Sequence, residues 1–261
     1  MKRLTDLTFW EQNWQEDLRP RRLWLYRDFD FETIRLLRSQ AGPKGARVLE
    51  VGAGGSRVLP YLGKKFGFEV FGSDFSVSGC RLLRANMALL GVDGGVVCED
   101  LFQSSLPSEA FELVFSSGLV EHFDDTRAVI AEHLRLVKPG GRLVVITPNL
   151  QGVHGKIVKR LAPPLWNLHR VFGPDYLASA LESLQVEKIS SGYLGSFVIQ
   201  VGRSPKWTVV RGWPNLLQHL VCGSVRLGNG LISLAFRLSP WRPHSRAWSP
   251  ACFAVGNKPL R

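Results

Sequence analysis

The chain has 261 residues, enough for one domain with an elaboration built around a large core. Its hydrophobic content of 45% is that of a globular protein, and its four cysteines (Cys80, Cys98, Cys222, Cys252) form neither a Cys-x-x-Cys pair nor a His-Cys cluster. That pattern speaks against disulfides and structural zinc, and for a reducing cytoplasm. The formal net charge of +11 is unevenly placed: residues 151–261 hold 14 basic side chains against three acids (Asp175, Glu182, Glu187), while residues 1–150 balance. Such a field attracts anionic partners, whether nucleic acid, anionic lipid or a phosphorylated or carboxylated small molecule.

At the start of the chain, Lys2 and Arg3 are followed by Thr5, Asp6 and Thr8, so no apolar leader is expected. Phe9-Trp10-Glu11-Gln12-Asn13-Trp14 reads as a helix with Trp10 and Trp14 on one face. Residues 1–27, which also hold Trp24, Tyr26 and an arginine cluster at Pro20, are expected to form a helical cap.

Arg47-Val-Leu-Glu-Val-Gly-Ala-Gly-Gly-Ser56 is an apolar strand running into a glycine turn, followed by a helical pattern with Val58, Leu59, Leu62 and Phe66 inward. Glycine lets a ligand approach the backbone, and the helix N-terminus offers free N–H groups. Glu50 stands at the strand end, where open α/β sheets bind ligands. A carboxylate there repels a pyrophosphate and welcomes an ammonium, so an amino-acid-like cation fits better than a dinucleotide.

A second strand, Phe68 to Asp74, ends in another acid, 24 residues beyond Glu50. This is the place where nucleoside-binding sheets grip a ribose diol. Ser76 or Ser78 can cap the next helix, which carries Leu82, Leu83, Met87 and Leu90. Gly94–Val97 is a short third strand leading to Glu99-Asp100-Leu101, and Phe111–Phe115 is a fourth leading to Ser116-Ser117-Gly118-Leu119-Val120-Glu121-His122. Asp124 or Asp125 caps a helix that Lys138-Pro139-Gly140-Gly141 should stop, and Arg142–Thr147 is a fifth strand. Alternation of strands and helices over this length predicts a mostly parallel sheet with right-handed crossovers and helices on both faces.

These pieces, in this order, resemble the class I S-adenosylmethionine-dependent methyltransferases. The resemblance is strongest to the group holding the ubiquinone and menaquinone C-methyltransferases and many small-molecule enzymes. It rests on Val48–Gly54, Ser73-Asp74, Glu99-Asp100-Leu101, Phe111–His122 and Leu136–Leu143, and covers roughly residues 28–150. It implies a Rossmann-like, seven-stranded, mostly parallel sheet whose last strand is antiparallel. It also implies S-adenosylmethionine as cofactor. By the same resemblance Gly52, Ala53 and Gly54 would pass under the methionine part, with Glu50 at its amino end. Asp74 would take the ribose hydroxyls and Phe75 would flank the adenine. Asp100 and Leu101 would meet the adenine amino group and ring edge, and Ser117 and Gly118 would lie below the sulfonium. One departure is Ser56, where the family loop carries a third glycine; serine fits if its φ stays negative.

His122, at the end of the fourth strand, is the first candidate general base, with a cofactor-side or capping histidine as the equal alternative. Trp14, His154 and His169 are the candidate acceptor contacts, and no metal ligands are expected.

The division expected is a cap (1–27), a cofactor domain (28–203), a helical insertion (204–249) and a last strand with tail (250–261). Asp175–Leu184 reads as a helix, Val186–Ser190 as the sixth strand, and Ala251–Val255 as the last, antiparallel beside it. In the insertion, Leu216, Leu220, Leu227, Leu231, Leu234 and Leu238 share one helical face, and Gly228 and Gly230 suggest a kink or a two-helix hairpin. Its polar residues exclude a comfortable membrane span, leaving a lid over the site or an interfacial helix on anionic lipid. The function expected is methyl transfer to a small or lipid-like acceptor, anionic ones included, by in-line displacement, in a cytoplasmic protein that can touch a membrane. The alternatives are an RNA or tRNA methyltransferase and a non-catalytic binding protein of the same fold at a membrane surface.

Overall fold

The computed structural model describes residues 1–15, 19–25, 27–197, 213–239 and 243–260. The beginning of the insertion with Trp207, and also Tyr26, Trp241 and the side chain of Arg237, lie outside the described residues.

Seven strands form one sheet: β1 (Arg47–Val51), β2 (Glu69–Asp74), β3 (Gly94–Cys98), β4 (Phe111–Ser117), β5 (Val137–Pro148), β6 (Glu187–Leu194) and β7 (Ala251–Asn257). Their order is β3-β2-β1-β4-β5-β7-β6. β1 to β5 are parallel, and β7 runs antiparallel to both β5 and β6. The order reverses between β1 and β4, and at such a switch point the loops leaving adjacent strands diverge and open a crevice.

Successive strand residues face opposite sides, and both sides are covered. Val48, Leu113, Val144 and Ile146 pack on one face with Leu37 of α2 (Asp28–Gln40), Leu59 and Leu62 of α3 (Val58–Phe66) and Leu83 of α4 (Val77–Leu90). Leu49, Val114, Leu143 and Val145 pack on the other with Ile130 of α5 (Thr126–Leu136) and Leu177 of α8 (Pro174–Glu182). Burial on both faces explains why the strands read as apolar runs rather than alternations. The caps are resolved: Ser76 accepts from the Gly79 N–H at the start of α4, and Asp125 accepts from the Ala128 N–H at the start of α5.

Three expectations change. The Lys138–Gly141 stretch does not merely stop α5. It belongs to β5, which begins at Val137 opposite Phe111 and resumes register at Arg142 opposite Leu113, leaving the extra residues as an irregularity. β6 continues past Ser190 to Leu194, because β7 offers pairing partners as far as Ala251. Among its described residues the insertion holds one helix, α9 (Asn215–Leu238), which runs through Gly228 and Gly230 without a hairpin. Its three glycines (Gly223, Gly228, Gly230) cost about 1 kcal/mol each relative to alanine, and the 24 residues still form one continuous helix.

Before the sheet, α1 (Leu7–Gln15) lies on α4: Glu11 accepts from the Ser76 hydroxyl and the Ser78 N–H. After β5 come α6 (Val153–Leu161) and the short α7 (Pro163–Trp166). The β5 exit is tied to the segment before β7, since Asn149 donates to the carbonyls of Arg246 and Ser249. Among the described residues no helix is long and apolar enough to cross a membrane.

Candidate active site

At the C-terminal end of β1 the chain turns at Gly52, whose φ of +71° favours glycine, and the N–H groups of Gly52 and Ala53 donate to the Ser73 carbonyl. Gly55 also has positive φ, and Ser56 does not, which is how serine is tolerated there. Its hydroxyl donates to Glu50 at 2.5 Å and accepts from the Leu59 N–H, joining the carboxyl to the start of α3. Glu50 is buried. Burial pushes its carboxyl up to about 8, against the Ser56 hydrogen bond and with a further push from Asp74.

Asp74, at the end of β2, accepts from the Gly54 N–H and the Ser76 N–H, both at 2.8 Å. Burial raises its carboxyl as well, opposed by those hydrogen bonds. A Cβ at Gly54 would come within 2.8 Å of the Asp74 carboxylate, so the loop and the acid are fitted to each other.

Glu50, Gly52, Gly54, Gly55, Ser56 and Asp74 line a cleft of about 430 Å³ together with Phe75, Leu101, Ser117 and Gly118, while Ala53 is buried beneath the turn and does not line it. The acids Glu50 and Asp74, the glycine turn and the β4 end therefore converge as the sequence led us to expect. Asp100 does not join them. Its carboxylate pairs with Arg3 and caps the turn at Leu101–Gln103 through the Phe102 N–H, and it borders a more open neighbouring depression. The Arg3 guanidinium itself lies over Phe75 at 5.0 Å and Phe123 at 5.6 Å, beside the place the resemblance gives to an adenine. Arg3 was missed because its contacts cross 97 residues of sequence.

Trp14 also needs correction. It stacks on Trp10 at 6.0 Å and lies over Gly54, Gly55 and Gly79, where any Cβ would fall within 2.9 Å of the indole. It walls the cleft beside the glycine turn and stands apart from the other two candidate acceptor contacts, His154 and His169, and its buried indole N–H has no partner.

A second cavity, about 270 Å³, lies beyond the ends of β4 and β5. Ser117, Gly118 and His122 line both cavities, so the two meet at the end of β4. The second cavity brings His122, His154 and His169 together, as proposed from sequence, and adds Glu121 and Thr147. Glu121 was missed because neighbours on an extended chain face opposite ways; the 3-10 turn Val120–His122 turns both inward.

The His122 Nδ1 donates to the Leu168 carbonyl at 2.7 Å and the His169 Nδ1 to the Leu165 carbonyl at 2.7 Å, leaving each Nε2 with its lone pair. Their rings stand 4.5 Å apart, and Trp10 meets His122 edge-on. Burial lowers His122 to about 3, with a further push from His169 and the Leu168 hydrogen bond opposing. Burial likewise lowers His154 to about 4. Burial also raises Glu121, to about 8.

Residues 49–145 match the family model described as a methyltransferase domain. The ubiquinone biosynthesis O-methyltransferase of Alkalilimnicola ehrlichii is 31% identical over 143 residues, 54% of this chain and 52% of that protein. The 2-methyl-6-phytyl-1,4-hydroquinone methyltransferase of Synechocystis is 35% identical over 104 residues, 40% of this chain and 32% of that protein. The chain thus spans about half the length, or less, of these curated relatives. A SAM dependent methyltransferase from Archaeoglobus fulgidus superposes with a TM-score of 0.55 at 18% identity, covering 88% of this chain and 94% of that one, which marks a shared fold.

Proposed function

We propose that this chain, whose residues 49–145 form a class I S-adenosylmethionine-dependent methyltransferase domain, moves a methyl group onto an oxygen of a quinone-type, lipid-like small molecule. The observation that carries the reading is the meeting of two cavities at Ser117, Gly118 and His122, one lined by Glu50 and Asp74 and one by an apolar wall that holds three histidines and Glu121. The names of the quinone-pathway relatives support the acceptor class.

The cleft fits the cofactor. Its glycine turn leaves no Cβ between loop and acid, and Glu50 and Asp74 face it as buried carboxyls. When bound, S-adenosylmethionine supplies a methyl group on a positively charged sulfur, already activated for displacement. The protein's part is then to hold, align and exclude water. Glu50 would receive the amino end, exchanging its bond from the Ser56 hydroxyl, and Asp74 the ribose hydroxyls, exchanging its backbone bonds for ligand bonds. Ser117 and Gly118 would floor the passage between the cavities, so that an acceptor oxygen entering from the histidine side faces the methyl group in line.

His122 lines that passage, but a buried imidazole titrating near 3 is a weak proton acceptor at neutral pH. In our reading it positions the acceptor and does not act as a free base.

The membrane-surface part of the reading rests on α9. Leu216, Leu227 and Leu238 are 73%, 66% and 80% exposed, and Leu220, Leu231 and Leu234 are exposed with them. No described residue of α9 lines either cavity, which supports an interfacial helix over a lid. The basic excess of residues 151–261 would add attraction to anionic lipid. In this reading residues 1–27 cap the cofactor cleft and 204–249 face the lipid from which the acceptor comes.

The test is transfer of isotopically labelled methyl from S-adenosylmethionine to a panel of polyprenylated catechols and hydroquinones, tRNA and phospholipid. Label in the phenolic amphiphiles is the expected result. Label in tRNA alone overturns the acceptor class, and cofactor binding with no transfer to any acceptor favours the non-catalytic alternative.

A further inference from the structure

We propose that Glu121, His122 and His169 bind one divalent transition-metal ion at the inner wall of the acceptor cavity. Their candidate ligand atoms all lie within 4.8 Å of one another, and this is the one such cluster found among the described residues. Sequence reading did not anticipate it, because Glu121 and His122 are adjacent and His169 is far along the chain, without a ligand spacing to recognise.

The geometry is that of ligands rather than of a hydrogen-bonded core. Each histidine donates its Nδ1–H to a backbone carbonyl at 2.7 Å, which fixes the tautomer and leaves Nε2 as the free donor of electrons. Metal-binding histidines are held in this way. The His122 Nε2 stands 3.8 Å from Glu121 Oε1, too far for a hydrogen bond, and Glu121 Oε2 is buried without any partner. Two imidazole lone pairs and the Glu121 carboxyl therefore converge with no hydrogen bond joining His122 to Glu121, and a bound cation would take the place of the carboxyl proton. A cation resolves this arrangement, and small rotamer adjustments bring the three atoms to the distance of about 2 Å that such ions take.

Two imidazoles and one carboxylate suit zinc, cobalt or ferrous iron better than magnesium or calcium, which prefer oxygen ligands. Three protein ligands leave coordination positions open toward the cavity. His154, buried with an unpartnered Nδ1, and Thr147 line the same cavity. An acceptor hydroxyl occupying an open position would be acidified, its proton passing to solvent, which would remove the need for a strong protein base. That role rests on the methyl-transfer reading; the binding site itself does not.

The experiment uses tag-free, metal-stripped full chain. Cobalt(II) is titrated alone, followed by calorimetry and by visible ligand-field absorption, and S-adenosylhomocysteine binding is measured separately on the same samples. Expected are one cobalt per chain, competition by zinc but not by equal magnesium, and at least tenfold weaker cobalt binding in His169→Ala and Glu121→Gln. Both variants should keep S-adenosylhomocysteine affinity, which certifies their fold. Absence of cobalt uptake by wild-type protein overturns the site without reference to any variant. Uptake unchanged in folded variants, or magnesium binding in cobalt's place, also overturns it. Cobalt binding in a protein that takes no S-adenosylhomocysteine would leave the metal site standing and remove the methyl-transfer reading.

Discussion

The cofactor cleft and the acceptor cavity lie side by side but are assembled differently. The cleft takes its chemistry from the ends of β1, β2 and β4, where Glu50 and Asp74 stand among the last residues of their strands and the glycines follow, Asp74 held by backbone N–H groups and Glu50 by the Ser56 hydroxyl. The acceptor cavity collects a 3-10 turn, the first residues of α6, a loop histidine and the residues before β7, from positions as far apart as Glu121 and Pro250. A site built on strand ends is precise because the sheet is rigid; a site gathered from loops can vary in specificity over the same frame.

Substitutions on the two sides should separate accordingly. Asp74→Ala should weaken cofactor binding by roughly 5- to 150-fold, about 1–3 kcal/mol, measured by calorimetry. His154→Ala should leave that affinity within about twofold and lower turnover roughly tenfold or more, through loss of acceptor positioning. Equal effects of both on cofactor affinity would erase the division.

Glu50 provides a pH test on the cofactor side alone. In the unliganded protein it titrates near 8, above the ordinary value of about 4.3. The folded state thus holds a proton that the unfolded state has released between those values. Glu50's share of stability is fully present below about 4 and is lost as pH rises toward 8, by at most about 1.4 kcal/mol per pH unit. Affinity for a cationic amino group should move the other way, rising up to about tenfold per unit and levelling above 8. Glu50→Gln should flatten both profiles, in urea melts and in calorimetry.

Arg3→Ala should be milder. The Arg3–Asp100 pair is partly exposed and worth about 1 kcal/mol or less. Its loss frees Asp100 and the face of Phe75, so cofactor affinity should rise by roughly two- to fivefold. A weaker complex would instead make Arg3 part of the adenine wall. Smallest of all, Leu227→Ser with Leu231→Ser should change unfolding free energy by no more than about 0.5 kcal/mol, since both side chains are exposed. The same pair should abolish flotation with anionic vesicles; retained flotation would detach α9 from the membrane reading.

How legible these regions were follows from their construction. Glu50 and Asp74 could be found from sequence because a strand, a turn and a helix form locally, and the residues between them are few. That Asp100 stands outside the cleft lining was not legible, because its partner, Arg3, reaches it across the fold. In α9 the leucine stripe was visible, but which face packs was not: Cys222 and Ser233 are buried while the leucines face outward. Periodicity reports that a helix has two faces, and only the neighbours decide which one is covered.

β7 is the last strand in chain order yet lies between β5 and β6. Arg142 pairs with Asn257, so the closing contacts span more than a hundred residues. While the chain emerges from the ribosome, β5 presents an open edge and β6 has no place in the sheet until residues 251–257 arrive. The strands β1 to β5 can assemble early, with their local crossovers, but the wall that holds Pro250 and Ala251 against the histidines forms only at the end. The nascent protein thus acquires its cofactor half before it acquires a closed acceptor cavity.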